Sequence, residues 1–105
     1  EPDRYIEIEG APNCIVEIVS DSSAKKDTER LPQAYFNAGV QEYWIIDART
    51  DALVFQVYRR GEVKFQAISN DDDGFQYSSI FQCSFRLDRS RNRSGRIAFD
   101  LLVKK

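Results

Sequence analysis

The sequence predicts an α/β domain in which one main helix packs on a mixed sheet. Two largely apolar runs, residues 14–19 and 40–48, flank a segment with helical spacing, and a strand, helix, strand unit of this length joins parallel strands by a crossover. From residue 53 onward, apolar and polar residues alternate, which is typical of antiparallel strands. A chain of 105 residues is long enough for one domain only, so residues 1–105 are expected to form a single unit.

The first half of the chain predicts three elements. Alternation over residues 4–8 predicts a short strand that ends at the Gly-Ala-Pro of 10–12. Residues 14–19 are apolar on both faces apart from one acid, as in a central strand covered on each side. Polar residues at 20–23 can cap a helix, whose apolar positions recur until Gly39, which is placed to end it.

The second half predicts antiparallel structure. Alternation over residues 53–58 and 63–67 around a turn predicts a hairpin. Phenylalanine-rich extended pieces are expected over 75–87 and a polar loop over 90–95. Residues 97–103 alternate again and predict the last strand.

Composition excludes several classes of function. The chain is 42% hydrophobic and 30% charged, which is typical of a globular protein. Its sequence has no apolar run near the roughly 20 residues needed to span a bilayer and no leader segment, so a cytoplasmic protein without a membrane partner is expected. Without histidine, serine-histidine and cysteine-histidine triads are excluded. The spacing of Cys14 and Cys83 predicts buried, reduced thiols.

Charge is distributed unevenly, although the net charge is only -2. Arginines cluster near the C-terminus, where they are either a solvated loop or a set of contacts for DNA phosphates. The cluster consists of Arg86, Arg89, Arg91, Arg93 and Arg96.

Glu17 is the acid inside the first apolar run. An ionised carboxylate is costly to bury unless a cation or hydrogen bonds compensate it. The residues leave three interpretations open: a metal ligand, one member of an ion pair, or a strand residue on a hydrated face. Asp3 is the available second acid, and two carboxylates with a backbone carbonyl can hold Mg²⁺. Lys25 and Lys26 are the nearest lysines that could orient a water molecule.

Residues 10–20 (GAPNCIVEIVS), 26–27 (KD) and 35–47 (YFNAGVQEYWIID) resemble the Uma-type family, a branch of the PD-(D/E)XK nuclease superfamily. The resemblance is close over 10–60 and weaker over 61–105. It implies a restriction-endonuclease-like fold, hydrolysis of DNA phosphodiester bonds with Mg²⁺ (or Mn²⁺ as a substitute), and commonly a homodimer.

The family pattern transfers to this sequence residue by residue. Glu17 matches the second catalytic acid, and Asp3, in Pro2-Asp3, matches the first. The resemblance implies that Asp3, Glu17 and the backbone carbonyl of Ile18 hold the metal, with Lys26 placing the attacking water.

The chain also departs from that pattern. Val19 stands where the superfamily has its lysine, Leu31 stands at the helix position that can replace it, and Asn13 takes the place of an acid. Family members are longer at the N-terminus. The rival prediction is therefore a catalytically inactive nuclease-fold domain that serves for dimerisation or nucleic-acid binding.

Overall fold

The computed structural model of the chain describes residues 13–20 and 31–105. The strand predicted at 4–8 and the beginning of the predicted helix lie outside the described residues. The elements within them are β1 (Cys14–Ile18), α1 (Leu31–Asn37), β2 (Glu42–Asp47), β3 (Val54–Arg60), β4 (Phe65–Ala67), β5 (Gln76–Ser78), β6 (Cys83–Arg91) and β7 (Ile97–Lys104).

The strands form two sheets. The first has the order β1-β2-β3-β4, with β1 parallel to β2 and the other pairs antiparallel. This confirms the mixed sheet, the parallel pair and the hairpin that the sequence predicts. The second sheet, β5-β6-β7, is antiparallel throughout. The sequence predicted these last strands but gave no sign that they form a separate sheet.

β1 differs from its prediction. It lies at an edge of the first sheet as far as the described strands show, and on one face Val16 and Ile18 are 47% and 71% exposed. The prediction of a central strand covered on both faces is therefore wrong for these two side chains. The reason is that the second sheet packs on β2 and β3, where Phe85 meets Trp44 with ring centroids 4.9 Å apart, and of β1 only Cys14 packs against this core.

The end of α1 confirms the role predicted for Gly39. Its φ of 94° is a left-handed conformation that glycine adopts without strain. The amide of Gly39 donates to the Phe36 carbonyl and that of Val40 to the Tyr35 carbonyl, both at 3.1 Å, which is the Schellman arrangement.

Arg60, at the end of β3, also holds the C-terminal end of α1. Its guanidinium donates to the carbonyls of Phe36 at 2.8 Å and Val40 at 3.1 Å. It also lies 3.9 Å from the centroid of the Phe36 ring, within range of a cation-π contact. The helix end is thereby fixed to the β3–β4 hairpin.

The two faces of the first sheet have different partners. Trp44 and Val57 point towards the second sheet and form the core with Phe85. Tyr43, the residue before Trp44, is buried on the opposite face, where its ring meets Tyr35 of α1 at 5.4 Å. Both Tyr43 and Trp44 are core residues, as the sequence predicts.

Glu42 joins the two sheets through a buried carboxylate. Its Oε2 accepts hydrogen bonds from Trp44 Nε1 at 2.7 Å and Ser78 Oγ at 2.6 Å, and its Oε1 accepts from the amides of Ser79 at 3.1 Å and Ile80 at 3.4 Å. Four neutral donors thus replace the water that the carboxylate loses on burial. Burial, helped by the charge of Glu42, raises the pKa of the nearby Cys14 thiol to about 11.

The side chain of Gln76 forms hydrogen bonds with the part of the β3 backbone that β4 does not pair with. β4 pairs with β3 only at Tyr58, Arg59 and Arg60, which leaves the backbone of Phe55 and Val57 without a neighbouring strand on that side. The Gln76 amide takes its place: its Oε1 accepts from the Val57 amide at 2.6 Å and its Nε2 donates to the Phe55 carbonyl at 2.7 Å. This side chain satisfies backbone groups that would be costly to bury unpaired.

Candidate active site around Glu17

Glu17 lies in β1, directly beside Ile45 of β2, with its side chain half-buried on the face that α1 covers. Its Oε1 accepts a hydrogen bond from the Tyr35 hydroxyl at 2.8 Å. Within the described part of the chain no cation pairs with Glu17, and Oε2 receives no hydrogen bond. The ion-pair interpretation is therefore unsupported there, while a metal ligand and a hydrated carboxylate both fit.

Tyr35 is the residue that orients Glu17. Its ring packs edge-on against Tyr43, at an angle of 64°, and its backbone carbonyl is held in the helix end. In the sequence, Tyr35 was only the first residue of the 35–47 motif and had no predicted role in the site. The available signal was the hydroxyl itself, because a tyrosine on the inner face of a helix needs a polar partner for its oxygen.

An open cleft of about 350 Å³ lies on the same face of the sheet, and Glu17 itself is not among its lining residues. Ile45, the strand neighbour of Glu17, forms part of its floor, and adjacent strands are only about 4.8 Å apart. Its walls include Lys64 and four aromatic rings, those of Phe36, Tyr43, Tyr58 and Phe65. Lys64 brings a positive charge to this face, and no sequence motif had singled it out.

Asp47 is a second acid on this face, two residues beyond Ile45 in β2. Such diagonal neighbours lie about 7–8 Å apart. Arg49 occupies both oxygens, with Nε 2.8 Å from Oδ1 and Nη2 2.7 Å from Oδ2. These side-chain hydrogen bonds, with one from the Arg49 amide, lower the pKa of Asp47 to about 2. Asp47 therefore starts the turn after β2 and is not available to a metal in this arrangement.

The low pKa of Asp47 predicts a contribution to acid stability. Because the folded-state pKa of about 2 is below the ordinary 3.8, the contribution is complete above about pH 4 and disappears as the pH falls towards 2. We expect Asp47→Asn to flatten the decline of the melting temperature over that interval, measured by circular dichroism. Asp72→Asn, in an exposed turn, is the control. An unchanged slope in Asp47→Asn would contradict the assignment.

The structure tests only part of the predicted site. Asp3 and Lys26 lie outside the described residues. Ile18 follows Glu17 in β1 with an exposed side chain. Because this side chain is a hydrocarbon without a donor atom, only the backbone carbonyl of Ile18 could serve a metal. Val19 is buried, and the described residues contain no group of three potential acid or cysteine ligands.

The described donors nevertheless suit a hard cation. Mg²⁺ binds oxygen and keeps several of its waters, so one or two carboxylates are enough protein ligands. Glu17 offers Oε2, which accepts no hydrogen bond from the described residues, and the Ile18 carbonyl is the next oxygen along the strand. The described residues would thus supply part of a magnesium site, and the predicted second acid, Asp3, lies outside them.

A mixed sheet with a parallel β1–β2 pair, a helix on one face and a half-buried acid in β1 is consistent with a restriction-endonuclease-like protein. The model of the Uma2 family, described as "Putative restriction endonuclease", matches residues 1–90. The chain belongs to this family, which confirms the resemblance seen in the sequence. A search of curated proteins gave no match. Among the described helices none is long and apolar enough to cross a membrane.

Proposed function

We propose that this chain is an endonuclease that hydrolyses DNA phosphodiester bonds with bound Mg²⁺, or Mn²⁺ as a substitute. The observation that carries the proposal is the Glu17 carboxylate, which Tyr35 orients through one oxygen while the other accepts no hydrogen bond from the described residues. The aromatic cleft with Lys64 lies on the same face and offers room and positive charge for a nucleotide beside it. Membership of the Uma2 family supports a nuclease-type function.

In this proposal Asp3, Glu17 and the Ile18 carbonyl hold the metal. Bound Mg²⁺ supplies a water of lowered pKa and neutralises charge on the phosphate. Tyr35 keeps the Glu17 carboxylate in one orientation by its hydrogen bond, as outer hydrogen bonds do for metal ligands generally. Lys26 is assigned to hold the attacking water by a hydrogen bond.

The arginines of the cluster differ in whether their side chains are already bonded within the fold. Arg89 donates to the carbonyls of Ala48, Thr50 and Asp51, and Arg86 pairs with Asp88. By contrast, the exposed side chains of Arg93 and Arg96, near the β6–β7 turn, contact no acid in the described part of the chain. We assign DNA phosphate contacts to Arg93 and Arg96. A cytoplasmic location and a homodimer belong to the same proposal.

The second candidate is a nuclease-fold domain without catalysis that binds nucleic acid or dimerises. Three observations favour it: Val19 is buried at the usual lysine position, Leu31 is half-buried at the alternative one, and Arg49 occupies Asp47. In this case the sheet would persist as a scaffold, and the arginines alone would contact nucleic acid.

Two assays distinguish the candidates. An active nuclease nicks supercoiled plasmid in Mg²⁺ or Mn²⁺, stops in EDTA and binds Mn²⁺ by calorimetry. A binding domain neither cleaves plasmid nor binds Mn²⁺, but its DNA affinity falls with salt. In that case Arg93→Ala lowers the salt slope of binding by about one unit. Arg59→Ala, on β3 beside Tyr77, is the matched control. Absence of cleavage, metal binding, salt-dependent DNA affinity and a dimer would contradict both candidates.

A further inference from the structure

The outer edge of β7 is long, and no strand among the described residues pairs with it. All eight residues of β7 pair with β6 in one continuous antiparallel register, from Ser84 opposite Lys104 to Arg91 opposite Ile97. No described strand pairs with the other side of β7. Soluble proteins usually interrupt such edges by shortening, bulges, proline or charged side chains, because open backbone groups recruit another strand. β7 has eight residues without a bulge or proline, and its charged residues are Asp100 and Lys104.

β7 also carries an apolar stripe, which consists of Ile97 (53% exposed), Phe99 (50%), Leu101 (47%) and Val103 (52%). The stripe lies on the same face as the core, since Val103 is directly opposite the buried Phe85. Four half-exposed apolar side chains in a row on an unpaired edge are typical of an interaction surface.

We propose that β7 pairs antiparallel with β7 of a second copy of this chain, about a two-fold axis, to join two three-stranded sheets into one of six strands. A two-fold contact uses the same surface on both copies, which a strand pairing with itself satisfies. The inference gives the homodimer in the proposed function its surface. It rests on that part of the proposal and not on the nuclease chemistry.

Charge selects the register of this pairing. Opposed residues in an antiparallel pair point to the same face, so one residue of β7 must lie opposite its own copy. With Leu102 at the axis, Asp100 lies opposite Lys104 of the second copy, and this ion pair occurs twice. With Asp100 at the axis, two carboxylates would oppose each other, and with Leu101 there, Asp100 would face Leu102.

Asp100 lacks such a partner among the described residues of its own chain. It lies directly opposite Asp88 of β6, and like charges in that relation are destabilising. Asp88 pairs with Arg86 at 3.0 Å, whereas Asp100 forms no ion pair with any described residue. Lys104 already contacts Asp71 at 2.6 Å and Asp73 at 3.2 Å, and its ammonium has three donors. A third carboxylate can therefore be added there.

Cross-linking tests both the surface and the register. We expect sedimentation to show a dimer, and Leu102→Cys to give a disulfide-linked dimer under mild oxidation, because only the residue at the axis meets its own copy. Leu101→Cys should not cross-link, and the native chain, with its half-buried Cys14 and Cys83, is the background. A monomeric native chain, or a cross-link through Leu101→Cys instead, would overturn the proposal.

Charge reversal gives a second readout that does not depend on a new thiol. Asp100→Lys should weaken the dimer about tenfold or more, since two attractive pairs become repulsive. Glu62→Lys makes the same acid-to-lysine change at an exposed position, but it lies far from β7 in sequence, in the turn after β3, and should leave the dimer intact. Equal dimer affinity in Asp100→Lys and the native chain would exclude this register. Plasmid cleavage by the same samples reports on the nuclease separately, since a dimer without cleavage refutes only the chemistry.

Discussion

Glu17→Gln is expected to abolish Mn²⁺ binding and to lower plasmid cleavage by about a hundredfold or more, because it removes the negative charge on which the metal depends. The substitution keeps the size of the side chain and an oxygen that can accept the Tyr35 hydrogen bond. The fold should therefore survive. Calorimetry with Mn²⁺ and the plasmid assay are the measurements.

Two further variants define what that result means. Glu62→Gln removes an exposed carboxylate between β3 and β4 and should change neither readout. Tyr35→Phe keeps Glu17 but removes its hydrogen bond, and we expect metal affinity to fall about 10- to 100-fold, as for other residues that orient a ligand. If Glu17→Gln bound Mn²⁺ and cleaved DNA like the native chain, the proposed site would be wrong.

Glu42→Ala is expected to reduce the free energy of unfolding by about 2–5 kcal/mol, the range for loss of a buried hydrogen-bond network. The variant leaves the Trp44 indole and the Ser78 hydroxyl without their acceptor and opens a cavity between the sheets. Urea denaturation followed by tryptophan fluorescence measures the effect directly, since Trp44 is the single tryptophan and contacts Glu42.

Smaller changes within the same network provide the controls. Ser78→Ala removes one of the four donors and should cost about 1 kcal/mol, while Glu62→Ala, at an exposed position, should cost less than about 0.5 kcal/mol. If Glu42→Ala were no more damaging than Glu62→Ala, the carboxylate would not be the link between the sheets.

The sequence predicted those parts of the fold that depend on neighbours along the chain. Gly39 at the helix end, the β3–β4 hairpin and the alternating residues of β7 are each determined by local backbone preference or by the period of apolar side chains. The parallel pairing of β1 with β2 followed from the length of their connection. These predictions required no knowledge of distant contacts.

The features that the sequence did not predict depend on residues far apart in the chain. In the sequence, Glu42 is a charged residue at the start of a strand. It becomes a buried acceptor only because Ser78, 36 residues later in the chain, lies against it and donates a hydrogen bond. Arg89 was grouped with exposed arginines, although three backbone carbonyls hold it. The apolar residues of β1 likewise could not show that Val16 and Ile18 are exposed. The pattern of apolar residues along one strand does not reveal how far a second sheet extends over it.

The hydrogen bonds from Arg60 to the end of α1 connect the β3–β4 hairpin to the neighbourhood of Glu17. One guanidinium connects β3 to the carbonyls of Phe36 and Val40, and the helix residue just before Phe36 is Tyr35, which orients Glu17. A displacement of the β3–β4 hairpin would therefore act, through Arg60, on the helix end that carries Tyr35.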